Sequence, residues 1–217
     1  MNKSKFSYQS LAWKNKFGDS YTDRNTRSIE EVDAQYLKDY GVSRRSMNSE
    51  FLSSLDRSLK ILEVGANIGC QLELLGKEGF KNLLGIDINN YAVRQAKHIR
   101  PEVDIMNGSV FDLPFRDKYF DLVFTSGVLI HISQKDLPCA MDEIWRVAGS
   151  YIWGFEYFSL KSAEIEYKGK KDLLWKRDFS ALYLKRFPDL RIVREKRFPM
   201  SNGKNVTQMF LLKKGEL

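Results

Sequence analysis

The segment Ile61-Leu-Glu-Val-Gly-Ala-Asn-Ile-Gly-Cys70 constrains the fold more than any other stretch of the chain. A short apolar run enters a turn carrying Gly65 and Gly69, and a helical pattern leaves it. Glycines there let the backbone approach a ligand closely, and the start of the next helix offers unpaired N–H groups. A dinucleotide fingerprint, G-x-G-x-x-G, would need glycines where Asn67 and Cys70 stand, so that reading fails twice. The spacing fits acid-x-Gly-x-(Gly)-x-Gly instead, through Glu63, Gly65, Asn67 and Gly69. Asparagine is the side-chain-bearing residue that best tolerates positive φ, so Asn67 can hold the middle place. Glu63 at a buried strand end is either a turn-stabilising carboxylate or a partner for a cationic ligand group such as an amino-acid ammonium.

From residue 59 onward, short apolar runs alternate with helical patterns. Strands are expected at 59–64, 82–87, 103–106, 120–126, 151–157, 190–197 and 206–212, with helices at 68–78, 90–99, 135–147 and 179–187. The alternation predicts an α/β fold with a Rossmann-like, doubly wound, mostly parallel sheet of seven strands. No helix separates the last two strands, and Asn202-Gly203 supplies turn chemistry, so they are expected as an antiparallel edge hairpin. Residues 1–57 read as an N-terminal helical extension and 58–217 as the α/β domain. The extension has helical spacing at Ile29, Val32, Tyr36 and Leu37 and again at Met47, Phe51, Leu52 and Leu55. Between them and the N-terminus, Phe17-Gly-Asp-Ser-Tyr-Thr-Asp-Arg-Asn25 is rich in turn formers.

Asp87 ends the second strand about twenty residues beyond Gly65, the separation expected of a ribose-binding carboxylate. Its competing role is an N-cap for the helix that follows.

Composition excludes more than it identifies. With 43% hydrophobic and 29% charged residues the chain is an ordinary globular one, and its apolar runs are too short to span a bilayer. The N-terminal lysines precede no apolar stretch, so no secretory signal is expected. Cys70 and Cys139 make no disulfide framework, which places the chain in a reducing cytoplasm. His98 and His131 lack zinc-type spacing to any cysteine, and no metal site is expected. The net charge of +7 is dispersed, with no RNA-binding aromatic motif or zinc finger. It is assigned to a solvated surface or to attraction for a small anionic substrate, rather than to nucleic acid.

The cofactor loop, Asp87, Gly108-Ser-Val-Phe-Asp-Leu-Pro-Phe115 and Phe120-Asp-Leu-Val-Phe124 stand in the order and spacing of the class I S-adenosylmethionine-dependent methyltransferases, which the chain resembles from about residue 59 to 212. The resemblance implies that Glu63 and the loop Gly65-Ala66-Asn67-Ile68-Gly69 face the methionine part of S-adenosyl-L-methionine. It implies that Asp87 holds the ribose, with Ile88 beside the adenine and Ser109-Val110 bracketing it. Ser126, after the fourth strand, joins the cofactor set. Many family members carry an acid where Ser109 stands, so base recognition here would rest on the Ser109 hydroxyl and backbone.

A narrower resemblance is to the methylases associated with pseudaminic acid biosynthesis, a subgroup found with surface-sugar genes. It rests on Trp13 with the 17–25 segment, Leu62–Gly69, Gly127-Val-Leu-Ile-His-Ile132, Glu156-Tyr157, Tyr167-x-Gly-x-Lys-Asp172, Lys176-Arg-Asp-Phe179 and Phe187-Pro-Asp-Leu-Arg191. It implies a small polar acceptor: a sugar, sugar nucleotide or related metabolite of surface-glycan biosynthesis. The alternatives are an RNA or protein methyltransferase and a non-catalytic protein that binds the same cofactor. The chain has Thr125-Ser-Gly-Val128 where an Asn-Pro-Pro-Tyr-type motif for amino-group methylation would stand.

Substrate chemistry is expected beyond the carboxyl ends of the strands. His131 is the candidate general base, because histidine titrates in the right range, and Glu156 is the second catalytic candidate. Tyr157, Tyr167, Lys171 and Arg177 are expected to contact substrate, the last two suiting a carboxylate or phosphate. Tyr21, Arg24 and Asn25 of the extension are expected to close over the cofactor carboxylate as a lid.

Overall fold

The computed structural model describes residues 7–215; the expectations for residues 1–6 and 216–217 lie outside them. Four helices come first: α1 (Tyr8–Lys14), α2 (Lys16–Arg24), α3 (Ile29–Tyr40) and α4 (Arg44–Leu52). Their ends are written in the sequence. Ser7 and Ser43 accept N-terminal N–H groups of α1 and α4, and Ser28 with Glu31 forms a capping box on α3. Gly41 ends α3 in the left-handed conformation.

The alternating part then runs β1 (Lys60–Val64), α5 (Cys70–Lys77), β2 (Asn82–Asp87), α6 (Asn90–Ile99), β3 (Ile105–Asn107) and β4 (Phe120–Ser126). A single 3-10 turn (Leu129–His131), α7 (Leu137–Val147) and β5 (Ala148–Tyr157) follow. A two-strand ribbon of β6 (Ala163–Glu164) and β7 (Trp175–Lys176) precedes α8 (Phe179–Arg186), β8 (Leu190–Pro199) and β9 (Val206–Lys214).

The main sheet has the order β3-β2-β1-β4-β5-β9-β8. Its first five strands are parallel, and β9 is antiparallel to both β5 and β8. This is the seven-stranded Rossmann-like sheet with an antiparallel hairpin that the sequence pattern predicts. Helices cover both faces, so the central strands are buried on both sides and read as unbroken apolar runs. Leu62, Val64, Val123, Ile152, Phe210 and Leu212 pack toward α7 and α8. Ile61, Leu122, Phe124, Trp153 and Leu211 pack toward α4, α5 and α6.

The stretch 17–25, rich in turn formers, is mostly helical: it lies in α2 (Lys16–Arg24) and its C-cap Asn25. Tertiary packing decides this against local propensity. A Cβ on Gly18 would fall 1.9 Å from the Trp13 carbonyl oxygen and 2.5 Å from Asn89 Nδ2, so glycine here provides close approach rather than a bend. Thr22 Oγ1 donates to the Gly18 carbonyl and Asn25 Nδ2 to that of Tyr21, so the polar side chains bond back into the helix. β3 is three residues long and lies later than expected, and β5 begins three residues earlier, at Ala148.

The strand order reverses between β1 and β4, and an open α/β sheet binds ligands at that point. The N-terminal helices meet the sheet here. Asn89 Nδ2 donates to the Trp13 carbonyl at 3.0 Å and to Asp19 at 2.9 Å, and Asn67 Nδ2 donates to Thr22 Oγ1 at 3.0 Å.

Candidate active site

A cleft of about 390 Å³ opens at the carboxyl ends of the parallel strands, roofed by α1, α2 and α3. That volume is in the range of small-ligand sites, typically about 300–1,000 Å³.

Its floor is the β1–α5 loop. Gly65 has φ 77°, Asn67 φ 49° and Gly69 φ 78°, so all three positions of the motif are left-handed and asparagine does occupy one of them. A Cβ on Gly65 would fall 2.4 Å from Val128, which brings this loop against the one after β4. Gly69 does not line the cleft; it packs against Val103 and Ile105.

Two buried acids stand at the ends of adjacent strands. Asp87 Oδ2 accepts the Asn67 N–H at 2.7 Å and Oδ1 accepts the Asn89 N–H at 2.8 Å. Asp87 therefore ties the first loop to the start of α6, while Asn89 is the residue that caps the helix. Each Asp87 oxygen keeps further acceptor capacity, and the residue lines the cleft. Burial pushes its carboxyl upward, opposed by these two N–H groups. Glu63 is 3% exposed, and its Oε2 has no hydrogen-bond partner. Burial raises its carboxyl well above the usual range, against the pull of Arg44. An unpartnered buried carboxylate oxygen facing a cleft suits a ligand ammonium.

Ile88, Ser109 and Val110 lie beside Asp87 in the cleft wall. Ser109 Oγ accepts the Phe111 N–H at 3.3 Å, so its own proton is free for a ligand. Ser126 lines the cleft at the end of β4.

His131 sits on the 3-10 turn after β4. Its Nδ1 lies 2.6 Å from the Leu173 carbonyl oxygen. A carbonyl only accepts, so Nδ1 carries the proton and Nε2 keeps its lone pair. Burial pushes the imidazole down to about 4, so the ring is neutral near pH 7. The Trp13 ring lies 4.4 Å from it and Tyr167 5.2 Å, which joins α1, this turn and the 159–174 segment in one aromatic seam.

Other expected residues face elsewhere. Glu156 is 1% exposed and does not line the cleft. Its oxygens accept the N–H groups of Val128 at 3.1 Å and Ile130 at 3.3 Å, and burial raises its carboxyl to about 7. Arg177 is buried under the cleft wall, donating to the Ile132 carbonyl at 3.1 Å and to Ser162. Lys171 is exposed and outside the cleft. Helix α2 turns Tyr21 and Asn25, one turn apart, onto the cleft face and leaves Arg24 in solvent. Tyr157 and Tyr167 both line the cleft.

Several wall residues were not singled out for this place by the sequence. Tyr36, read as part of a helical apolar stripe, and Tyr40 line the cleft from α3, and Tyr40 shares a hydrogen bond with Thr207 of β9 at 2.9 Å. Arg44 is fully buried behind them. Its Nε donates to Asn48 and Gln71, its Nη1 to the Tyr36 hydroxyl, and its guanidinium lies 4.1 Å from the Phe155 ring. Among the described residues no group of histidine, cysteine and acid side chains is placed to hold a metal ion.

Comparison with known proteins agrees with this geometry. Residues 62–150 match the family model described as a methyltransferase domain. Over 115 residues the chain is 26% identical to 24-methylenesterol C-methyltransferase 2 of Arabidopsis thaliana; the match covers 49% of this chain and 31% of the plant protein. The fold is shared with solved structures. A Pyrococcus horikoshii OT3 protein superposes with a TM-score of 0.67 at 16% identity, over 88% of this chain and 93% of that one. The 1,6-didemethyltoxoflavin-N1-methyltransferase of Burkholderia thailandensis, solved with its namesake compound and S-adenosylhomocysteine, superposes with a TM-score of 0.66 at 14% identity, over 100% and 94%. The chain is thus similar to a methyltransferase domain over residues 62–150, and it spans about a third of the length of the plant protein it matches. No helix among the described residues is long and apolar enough to cross a membrane.

Proposed function

We propose that this protein moves the methyl group of S-adenosyl-L-methionine to a small polar acceptor held under its N-terminal helices. The observation that carries the reading is the pair Glu63 and Asp87, two buried acids at the ends of adjacent strands facing one cleft.

In this reading Asp87 accepts from the ribose hydroxyls through the free lone pairs of both oxygens. Glu63 Oε2 takes the amino-acid ammonium, and Ser109 with Val110 holds the base. Bound cofactor supplies an activated methyl group on a sulfonium, so the chain need only bind, align and exclude water. α1 and α2 act as a lid, with Tyr21 and Asn25 over the cofactor and Trp13 seated on His131. The division into an extension of residues 1–57 and a catalytic domain of 58–217 is part of this proposal.

His131 presents a neutral Nε2 lone pair to the acceptor and receives its proton as the bond forms. A conjugate acid near 4 makes this a weak base, suited to an acceptor whose proton is labile or leaves late. Glu156 acts at one remove: its carboxylate fixes the main chain of Val128 and Ile130 and so positions His131.

The motifs shared with the pseudaminic-acid-associated methylases make a sugar or sugar nucleotide the first acceptor to try. Methyl transfer from labelled cofactor into candidate sugars, sugar nucleotides and other polar metabolites, read by product mass, tests the reading. Labelled product from a small acceptor supports it; label entering only RNA or protein would replace it with the macromolecular alternative.

A further inference from the structure

The cleft extends past the strands that carry the cofactor residues. Glu63, Asp87 and Ser109 stand over β1, β2 and the loop after β3, whereas Tyr157 and Thr207 stand over β5 and β9, at the other side of the switch point. Tyr36 and Tyr40 close this second half from above, and Phe155 backs it. The Tyr36 ring lies 5.8 Å from Phe155 and 5.4 Å from Tyr40, and Tyr40 lies 5.9 Å from Phe155. These rings form a wall of flat apolar faces.

The same half is edged with phenol hydroxyls. Burial raises the ionisation of Tyr157 and Tyr167, and of Tyr21 beside them, and neighbouring phenols raise Tyr21 and Tyr157 further. They therefore stay neutral across the working pH range, as donors and acceptors of hydrogen bonds. Tyr36 is a directed donor: its oxygen accepts from Arg44 Nη1 at 3.3 Å, so its own proton is left for a ligand.

Charge is missing from this half. The charged side chains lining the cleft among the described residues are Glu63 and Asp87 at the cofactor end and Arg27 on the exposed α2–α3 connection. His131 is neutral. Arg44 does not line the cleft: it is fully buried behind Tyr36 and Phe155, with Nε and Nη1 engaged and Nη2 buried without a partner. Lys168, Lys170 and Lys171 are exposed beside Tyr167. A phosphate or carboxylate drawn inside would lose its hydration without meeting a counter-ion, at a cost that neutral rings escape.

We infer that the half of the cleft bounded by Tyr36, Tyr40, Phe155, Tyr157, Tyr167 and Thr207 is an acceptor subsite for an uncharged ring bearing hydrogen-bonding groups. Any phosphate or carboxylate of the same substrate stays outside, toward Arg27 and the lysines. The inference rests on the methyltransferase reading. The shared chemistry is a neutral ring offering a flat face and polar edges, which both an aromatic heterocycle and a sugar supply.

The test is ligand-observed NMR on the full chain saturated with S-adenosylhomocysteine, using pairs that differ in charge. Nicotinamide against nicotinate probes the heterocyclic source, and methyl glucoside against glucose 6-phosphate probes the sugar source. The neutral member of at least one pair should bind at least about tenfold more tightly than its anionic partner. Tyr36→Phe and Tyr157→Phe, folded by circular dichroism, should each weaken it by about fivefold while S-adenosylhomocysteine affinity holds within about twofold, as loss of one hydrogen bond implies. Equal or tighter binding of the anionic members, no binding of either neutral member, or indifference to both substitutions overturns the inference. If S-adenosylhomocysteine itself does not bind the same sample, the function proposed above fails instead.

Discussion

Asp87 accepts the backbone N–H of Asn67 at 2.7 Å, so the acid assigned to the ribose also fastens the left-handed corner of the loop assigned to the methionine part. One carboxylate thus shapes both halves of the proposed cofactor site. Asp87→Asn would turn an amide N–H₂ toward a backbone N–H and remove an acceptor for ligand hydroxyls. We expect a loss of about 1.5–3 kcal/mol in S-adenosylhomocysteine binding, roughly ten- to hundredfold in Kd, together with a lower Tm. Calorimetry on the folded variant checks this; an unchanged Kd would remove Asp87 from the site.

His131 should respond to pH in a direction set by burial. The unfolded imidazole takes its proton near 6.5 and the folded one only near 4, so between these values the unfolded chain binds more protons. Stability therefore rises with pH through that window and is complete above it, a contribution of at most about 3 kcal/mol. His131→Phe should flatten the rise in denaturant midpoints measured from pH 4 to 7. If Nε2 takes the acceptor's proton, His131→Ala should cost about 10²–10⁴-fold in rate with cofactor Kd nearly unchanged. If the ring only packs against the cofactor, Kd rises instead.

Glu156 should act with the opposite sign. Its folded carboxyl ionises near 7 and its unfolded one near 4.5, so stability falls as pH rises from about 4.5 through 7. Glu156→Gln should remove that fall. A positioning role predicts partial activity in Glu156→Gln, whose amide oxygen keeps one of the two N–H bonds while its N–H₂ faces the other, and a larger loss in Glu156→Ala, which leaves both the Val128 and Ile130 N–H groups unpaired. Equal, complete loss in both would make the carboxylate itself part of the chemistry.

The sheet was largely legible and the roof largely was not. β2, β4 and α6 stand at their expected bounds because buried parallel strands are short unbroken apolar runs and helices declare themselves by spacing and caps. α2 was hidden because Gly18, Asp19, Ser20 and Asn25 have turn propensity; only the contacts of Gly18 with Trp13 and Asn89 explain a helix. The β6–β7 ribbon is too short to show periodicity. In the site, residues fixed by backbone geometry could be found from spacing, as with Asn67. Side-chain direction could not: Arg177 looks available in the sequence but is spent on the Ile132 carbonyl, and Arg44 gives no sign that Asn48, Gln71 and Tyr36 enclose it.

Gly18→Ala tests the lid without truncation. The added methyl cannot coexist with the Trp13 carbonyl at 1.9 Å, so α1 and α2 must part or lift from Asn89. Overpacking of this kind typically costs about 1–3 kcal/mol. We expect lower Tm, faster proteolysis within 8–25 and weaker cofactor binding; normal affinity with a displaced α1 would show that the roof does not serve the cofactor.

The cleft between Asp87 and His131 is the site proposed for S-adenosyl-L-methionine. Isothermal titration of the folded full chain with S-adenosyl-L-methionine and S-adenosylhomocysteine tests it most directly. One site is expected for each, with affinity lowered by Asp87→Asn and by Glu63→Gln. Absence of binding heat and of any Tm shift with either compound, in a sample shown to be folded, would contradict it.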